Sequence, residues 1–302
     1  MIKSFSNRIK SELLETERED RADFLAFSYA LFLFSSAFGI NSMYIKTENE
    51  QVAKAYMKCA KQLADVKPVF SKTKGGMCRC EIKSESDRRK ILNVFSLTGN
   101  ELSNRVNRTN IDTESCYPHF LAGAFLACGT AADPKKDYHL EFCIAYKKLC
   151  DDLLKIISDI ELEEPLNPKK IQRKYELVIY FKGSEKIEDL LLFMGAQRSA
   201  FSLMDIKVEK DIRNRANRLS NCDSANLDKT IKTGLKQSQA VEYIIKNIGV
   251  ENIPENLREI ALIRLENPDM SLAEITENLS EPISRSGVNH RLKRIEKLAE
   301  EI

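Results

Sequence analysis

The stretch FLAGAFLACGT, residues 120–130, constrains this chain more than any other. It is apolar and rich in small residues. Gly123 and Ala127 lie four apart and so share one helix face, where small side chains let a second backbone approach closely. Such a helix needs a partner, and the sequence offers one. A second apolar run, FLAFSYALFLFSSAFGI (24–40), carries Ser35 and Gly39 at the same spacing. The pattern predicts two helices crossing at an internal pseudo-twofold axis, with SSAFGI (35–40) and LACGTA (126–131) at their ends.

Each helix introduces the same series of elements. MYIKTE (43–48) and YHLEFCIAY (138–146) read as strands, and EQVAKAYMKCAKQLA (50–64) and KKLCDDLLKIISDI (147–160) as amphipathic helices. Two strand-like runs follow in each half. They are VKPVFSKT and MCRCEIKS, joined by a hairpin signal at Lys74-Gly75-Gly76, then ELEEPLNP and RKYELVIYFKG. Each half closes on a helix ending in Gly, at Gly99 and Gly195. Residues ~20 to ~205 therefore read as a tandem duplication. After Ile206 the strand signals stop. DIRNRANRLSN (211–221) reads as a basic helix, NLDKTIKTGLKQSQAVEYIIKNIG (226–249) as a long amphipathic one, and the rest as short helices divided at Asn267-Pro268 and Glu281-Pro282.

Composition narrows the function class. The chain has 302 residues, 43% hydrophobic and 30% charged, with a formal net charge of only +2. A nucleic-acid surface must then come from local segregation of charge. The 24–40 run falls short of the ~20 residues of a membrane span and is broken by Ser and Gly, which predicts a core helix. With no secretory signal at MIKSFSNRIKSELLE, the expected location is cytoplasmic. Eight cysteines in that compartment read as thiols. Cys78 and Cys80 alternate along a strand, read as sending them to opposite or skewed faces, and no CxxC pair or histidine cluster exists among His119, His139 and His290. No metal site and no cofactor is expected.

LAGAFLACG (121–129) resembles the LAGLIDADG motif of homing endonucleases, matching at Leu121, Ala122, Gly123, Ala127 and Gly129. In that family an acid just before the final Gly holds a divalent metal. Here that place holds Cys128, with Phe38 read as its first-half equivalent, and neither offers the hard oxygen that Mg²⁺ takes. The resemblance implies curved antiparallel sheets without the cleavage chemistry. Lys72, Lys74, Arg79 and Lys83, with Arg88, Arg89 and Lys90, lie on or near the first hairpin. They serve equally as phosphate contacts or as solubilising edge charges. DIELEEP (159–165) is acidic, which speaks against a symmetric grip on DNA.

The end of the chain carries the strongest functional signal. Ser271 reads as the cap of a helix with the stripe Leu272, Ile275 and Leu279. Ser284 reads as the cap of a second with Val288, Leu292, Ile295 and Ala299. The opposite face of the second holds Ser286, His290, Lys293 and Lys297, with Asn289 and Arg294 beside it and Arg285 in the first turn. That is the residue set of a recognition helix, with donors near the N-terminus for base edges and cations further along for phosphates. Arg213, Arg215 and Arg218 are expected to add phosphate contacts. His139 reads as a satisfied core histidine, and His119 says nothing.

Together these features are similar to one family, the WhiA regulators of Gram-positive bacteria. The residues that carry the resemblance are FLAGAFLACGTAADPKKDYHLEF (120–142), MGAQRSAF (194–201), RNRANRLSNCDSANLDKT (213–230), LREIALIRLENPDMSLAEI (257–275) and SRSGVNHRLKRI (284–295). The resemblance implies a DNA-binding protein of sporulation, cell division and chromosome segregation. The predicted fold class is α+β: a duplicated αββαββα domain followed by an all-α helix-turn-helix domain. The expected divisions are an N-terminal helix (1–20), two repeats (21–110 and 111–206), a basic linker with a long helix (207–250) and the helix-turn-helix (251–302). The expected partner is double-stranded DNA, on the nucleoid, with another transcription regulator or RNA polymerase as a second partner. An active endonuclease and a protein-interaction scaffold stay open as alternatives.

Overall fold

A computed structural model describes residues 4–99, 101 and 103–302. The chain divides into two compact units, Met1–Glu209 and Lys210–Ile302. In the first, α1 (Phe5–Glu15) precedes two copies of one motif. The first copy is α2 (Arg21–Leu33), β1 (Ala37–Phe38), β2 (Met43–Thr47), α3 (Glu50–Ala64), β3 (Val69–Lys72), β4 (Cys78–Glu81) and α4 (Glu85–Val94). The second is α5 (Tyr117–Cys128), β5 (Gly129–Ala131), β6 (His139–Ile144), α6 (Lys147–Ser158), β7 (Lys169–Arg173), β8 (Glu176–Lys182) and α7 (Ser184–Met194). Each copy forms a four-stranded sheet, ordered β1-β2-β4-β3 and β5-β6-β8-β7, with every pairing antiparallel.

The two copies share one core because α2 and α5 cross. Both are apolar nearly all round, and Ala26 to Leu33 and Phe120 to Leu126 are buried, as helices covered on every side must be. Gly123 makes the crossing possible. A Cβ there would lie 2.2 Å from the Phe27 carbonyl oxygen and 3.1 Å from the Leu31 nitrogen. Gly123 and Phe27 are each the seventh residue of their helix, as a pseudo-twofold crossing requires.

The first repeat departs from its sequence reading at this point. Ser35 and Gly39 are not the crossing pair. The helix stops at Leu33, the Ser35 hydroxyl donates to the Phe32 and Ala37 carbonyl oxygens at 2.7 and 3.1 Å, and nothing lies within 4 Å of a Cβ on Gly39. Leu33 is the last helical residue and Phe38 belongs to β1, beyond the helix, so Phe38 is not the counterpart of Cys128. The apolar run continues through a helix stop that only side-chain capping reveals.

The second repeat also differs. ELEEPLNP is not a strand, since Pro165 and Pro168 remove ladder donors and Asn167 has φ 46°. RKYELVIYFKG is instead split by a turn at Lys174-Tyr175, so β7 and β8 make the hairpin. Cys78 and Cys80 point to the same face, as residues two apart on a strand do, and both are buried.

The basic and the amphipathic helical segments are one helix, α8 (Gln197–Ile248). Its start is held by α1. Glu12, 8% exposed, accepts from the Arg198 and Ser199 backbone N–H groups at 2.6 and 2.9 Å. A carboxylate there satisfies orphan donors and meets the positive end of the helix dipole. The second unit adds α9 (Glu255–Glu266), α10 (Leu272–Glu277) and α11 (Arg285–Glu301). They close around a separate core that includes Val241, Ile244, Leu257, Ile260, Ile275, Val288, Leu292 and Ile295. No helix among the described residues is long and apolar enough to cross a membrane.

Candidate nucleic-acid interface

In the second unit, two capped helices and a turn set the geometry. Ser271 and Glu274 form a reciprocal capping box on α10. Ser284 accepts from the Gly287 N–H at 3.2 Å at the start of α11, so its hydroxyl is engaged in the cap and with Ser286. The stripe Val288, Leu292 and Ile295 is buried against α9 and α10. Burial of that stripe fixes which side of α11 faces outward.

The outward side is the one read from the sequence. Arg285, Ser286, His290, Lys293, Arg294 and Lys297 are exposed, and Asn289 is half-buried at their edge. Arg285, Asn289, His290, Lys293 and Arg294 make no side-chain hydrogen bond or ion pair among the described residues. Only Lys297 in this set has a carboxylate near, Glu301 at 3.6 Å. Asn289 and Lys297 are eight residues apart, or about 12 Å along the axis, far enough to meet different parts of a duplex.

Two supports of this surface carry no sequence signal. Arg264 is 2% exposed, and its guanidinium donates to the carbonyls of Asn267, Pro268 and Met270, at 2.7 Å in the last case. It ties down the loop that feeds α10. Gly234 of α8 lets that loop approach, since a Cβ there would meet the Pro268 oxygen at 1.8 Å. Nearby, Glu259 accepts from the Ser280 N–H and hydroxyl, which hold its carboxyl below the usual range, with Arg291 adding to the effect.

Arg213, Arg215 and Arg218 are exposed on α8 but do not form one patch. At about 100° per residue, Arg215 and Arg218 lie about 60° apart, whereas Arg213 is about 160° from Arg215.

The first sheet is unlike this surface. Arg79 pairs with Glu81 at 3.0 Å and stacks on Tyr44, Lys72 pairs with Glu50 at 3.1 Å, Arg89 with Glu85 at 2.8 Å and Lys90 with Asp87 at 2.7 Å. Arg88 donates to the Ile40, Ile82 and Lys83 carbonyls. In the second sheet Arg173 binds Glu141 at 2.8 Å and Lys170 binds Asp151 at 2.6 Å. His139 is half-buried on the outward face, beside Glu141 at 2.8 Å and stacked on Tyr180, so it is satisfied without being a core residue. His119 sits 3.2 Å from Asp23 at the helix crossing.

At the end of α5, where the homing-endonuclease resemblance places a metal-holding acid, the side chains are a thiol and a lysine amine. Burial pushes the Cys128 thiol far above its ordinary range, which keeps it protonated. Lys10 reaches in from α1 and donates to the Leu126 carbonyl at 3.3 Å, over the Phe125 ring. Burial lowers the Lys10 amine below its ordinary range, and its Nζ supplies a donor to the orphan carbonyls at the helix end. Leu33 and Phe34 at the end of α2 are buried hydrocarbon. Neither helix end presents a carboxylate, the ligand type that Mg²⁺ requires.

Comparison with known proteins agrees with both units. Residues 117–213 match the model of the WhiA LAGLIDADG-like domain, and residues 216–299 that of the WhiA C-terminal HTH domain. The chain is 35% identical to "Probable cell division protein WhiA" of Clostridium tetani (strain Massachusetts / E88), covering 99% of this chain and 98% of that one. It is 36% identical to the protein of that name from Caldicellulosiruptor saccharolyticus, covering 99% and 95%. In fold it is similar to the crystal structure of full-length DUF199/WhiA from Thermatoga maritima, at TM-score 0.57 and 24% identity over 99% of both chains. With a LAGLIDADG-like duplication, a C-terminal helix-turn-helix and full-length relatives at this identity, the chain belongs to the WhiA family.

Proposed function

We propose that this chain is a sequence-specific, double-stranded DNA-binding regulator acting in cell division, chromosome segregation or sporulation, on the nucleoid in the cytoplasm. The single observation that carries the reading is the outward face of α11. Arg285, Lys293, Arg294 and the Asn289 amide have no side-chain partner among the described residues, while the opposite face is locked into a core. Ser286, Asn289 and His290, near the N-terminus, are assigned to base edges. Arg285, Lys293, Arg294 and Lys297 are assigned to phosphates, with Ser284 orienting the first turn. Arg213, Arg215 and Arg218 add phosphate contacts, from two sides of α8. The relatives' shared name supports the link to cell division.

The LAGLIDADG-like domain is proposed to be catalytically inert, because Cys128 and Leu33 stand at the helix ends where carboxylates are needed. Another transcription regulator or RNA polymerase is the proposed second partner. Recovery of bound genomic fragments, followed by gel shift on the enriched sequence, tests DNA reading. No enrichment over random fragments overturns it. Incubating the full chain with the enriched duplex and Mg²⁺ or Mn²⁺ tests inertness, and cleavage at a defined position overturns that.

A further inference from the structure

The acidic segment DIELEEP is not used in the proposed DNA reading, yet it lines a built groove of the duplicated domain. Leu162, Glu163 and Glu164 face Glu185, Asp189, Leu192 and Phe193 of α7 across a cavity of about 410 Å³. Its apolar members are not hidden. Leu192 is 37% exposed, on a helix whose Leu190 and Leu191 are fully buried. Leu162, Leu192 and Phe193 sit together in one depression inside a charged rim rather than scattered singly over the surface.

The rim is negative beyond what its own cations answer. Lys186 meets Glu164 at 3.3 Å and Lys207 meets Glu185 at 3.1 Å. Glu163 and Asp189 have no ion-pair partner among the described residues. Beside them on α7, Glu188 is 7% exposed, and its Oε1 has no hydrogen-bond partner among the described residues. Burial raises its carboxyl; Lys207 opposes the shift, and Glu185 and Asp189 add to it.

We propose that this groove docks a basic amphipathic segment of a partner protein. Bulky apolar side chains of the segment seat against Leu162, Leu192 and Phe193, and its Lys or Arg side chains meet Glu163, Asp189 and the rest of the rim. The chemistry excludes DNA as the occupant, because phosphates would face uncompensated carboxylates. The groove lies wholly within the duplicated domain, so the inference stands independently of the DNA-reading assignment of α11.

The test uses the full chain and a labelled helical peptide with Leu and Phe on one face and Lys and Arg on the other. A scrambled peptide and an all-lysine peptide serve as controls, with binding read by fluorescence anisotropy. The designed peptide is expected to bind most tightly. Glu163→Lys with Asp189→Lys should weaken it about tenfold or more and flatten its salt dependence, whereas Leu192→Ser should weaken it and leave the salt dependence in place. Circular dichroism and an unchanged denaturation midpoint of the duplicated domain show that each variant is folded. Equal binding of all three peptides, or unaltered binding by the charge-reversed and Leu192 variants, overturns the proposal. Self-association of the chain that the same substitutions abolish would assign the groove to a second copy and overturn the partner-protein reading.

Discussion

The basic cluster on β4 and α4 and the one on α11 hold their positive charges in opposite ways. On the duplicated domain, Arg79, Arg88, Arg89 and Lys90 are each engaged by a carboxylate or by backbone carbonyls of the same domain. On α11, Arg285, Lys293 and Arg294 stand in solvent with no partner among the described residues. Sequence composition scarcely separates these groups, since both are clusters of Lys and Arg. What separates them physically is whether a phosphate would have to displace an existing partner. A paired surface cation returns little when it changes partners, while an unpaired one releases counterions from DNA at no such cost.

The largest effects should come from two glycines, one in each unit. Gly123→Ala drives a Cβ to 2.2 Å from the Phe27 backbone oxygen. Backbone cannot swing away as a side-chain tip can, so α2 and α5 must separate. The expected loss is about 3 kcal/mol or more in the duplicated domain's stability, read by chemical denaturation. Gly234→Ala meets the Pro268 oxygen at 1.8 Å and should displace the loop leading to α10. DNA binding is expected to fail in Gly234→Ala and to survive in Gly123→Ala wherever the second unit remains folded. The reverse pattern in gel shift would place DNA recognition in the duplicated domain.

How legible were these features in the sequence? Gly123 was, because its small-residue spacing is a local pattern. So were both caps of the helix-turn-helix, because Ser271–Glu274 and Ser284–Gly287 contacts span three residues. The register of the first repeat was not. The apolar run through SSAFGI hides a helix stop made by one serine hydroxyl. The second hairpin was misplaced because β-prone residues run through its turn at Lys174-Tyr175. Lys10, Glu12 and Arg264 were missed altogether, since each is a charged residue whose burial depends on a packed neighbour. Glu12 caps a helix 186 residues away in sequence, and no pattern in the chain encodes that contact.

Next in size is the base-reading prediction. Asn289→Ala should cost ~1–3 kcal/mol on the specific site while leaving random duplexes nearly unaffected, since the asparagine amide suits adenine in one bidentate pair. Competition gel shifts with specific and random DNA measure the difference. An equal loss on both would mean that α11 grips the backbone without reading sequence. Lys297→Ala should weaken both duplexes alike and lower the salt slope by up to ~0.9. Its neighbour Glu301 at 3.6 Å makes the expected loss smaller than for Lys293 or Arg294, which have no such partner.

The smallest expected effect sharpens the comparison most. Arg79→Gln removes a cation from the outward face of the first sheet. Its guanidinium already meets Glu81 at 3.0 Å and packs over the Tyr44 ring. Removing it should cost at most ~1 kcal/mol of domain stability, as exposed pairs do. DNA affinity and its salt slope should not change, because the arginine is engaged by Glu81 and Tyr44 before DNA arrives; the single variant, however, also leaves Glu81 unpaired, a charge that would repel any phosphate nearby. That last point fixes the control: Arg79→Gln with Glu81→Gln removes both charges and leaves the local total unchanged. If the double variant binds DNA as the parent does, the sheet is a bystander. If it loses affinity and its salt slope falls by about one contact, then the sheet reaches phosphate despite its internal pairing, and the contrast between the two clusters is one of degree.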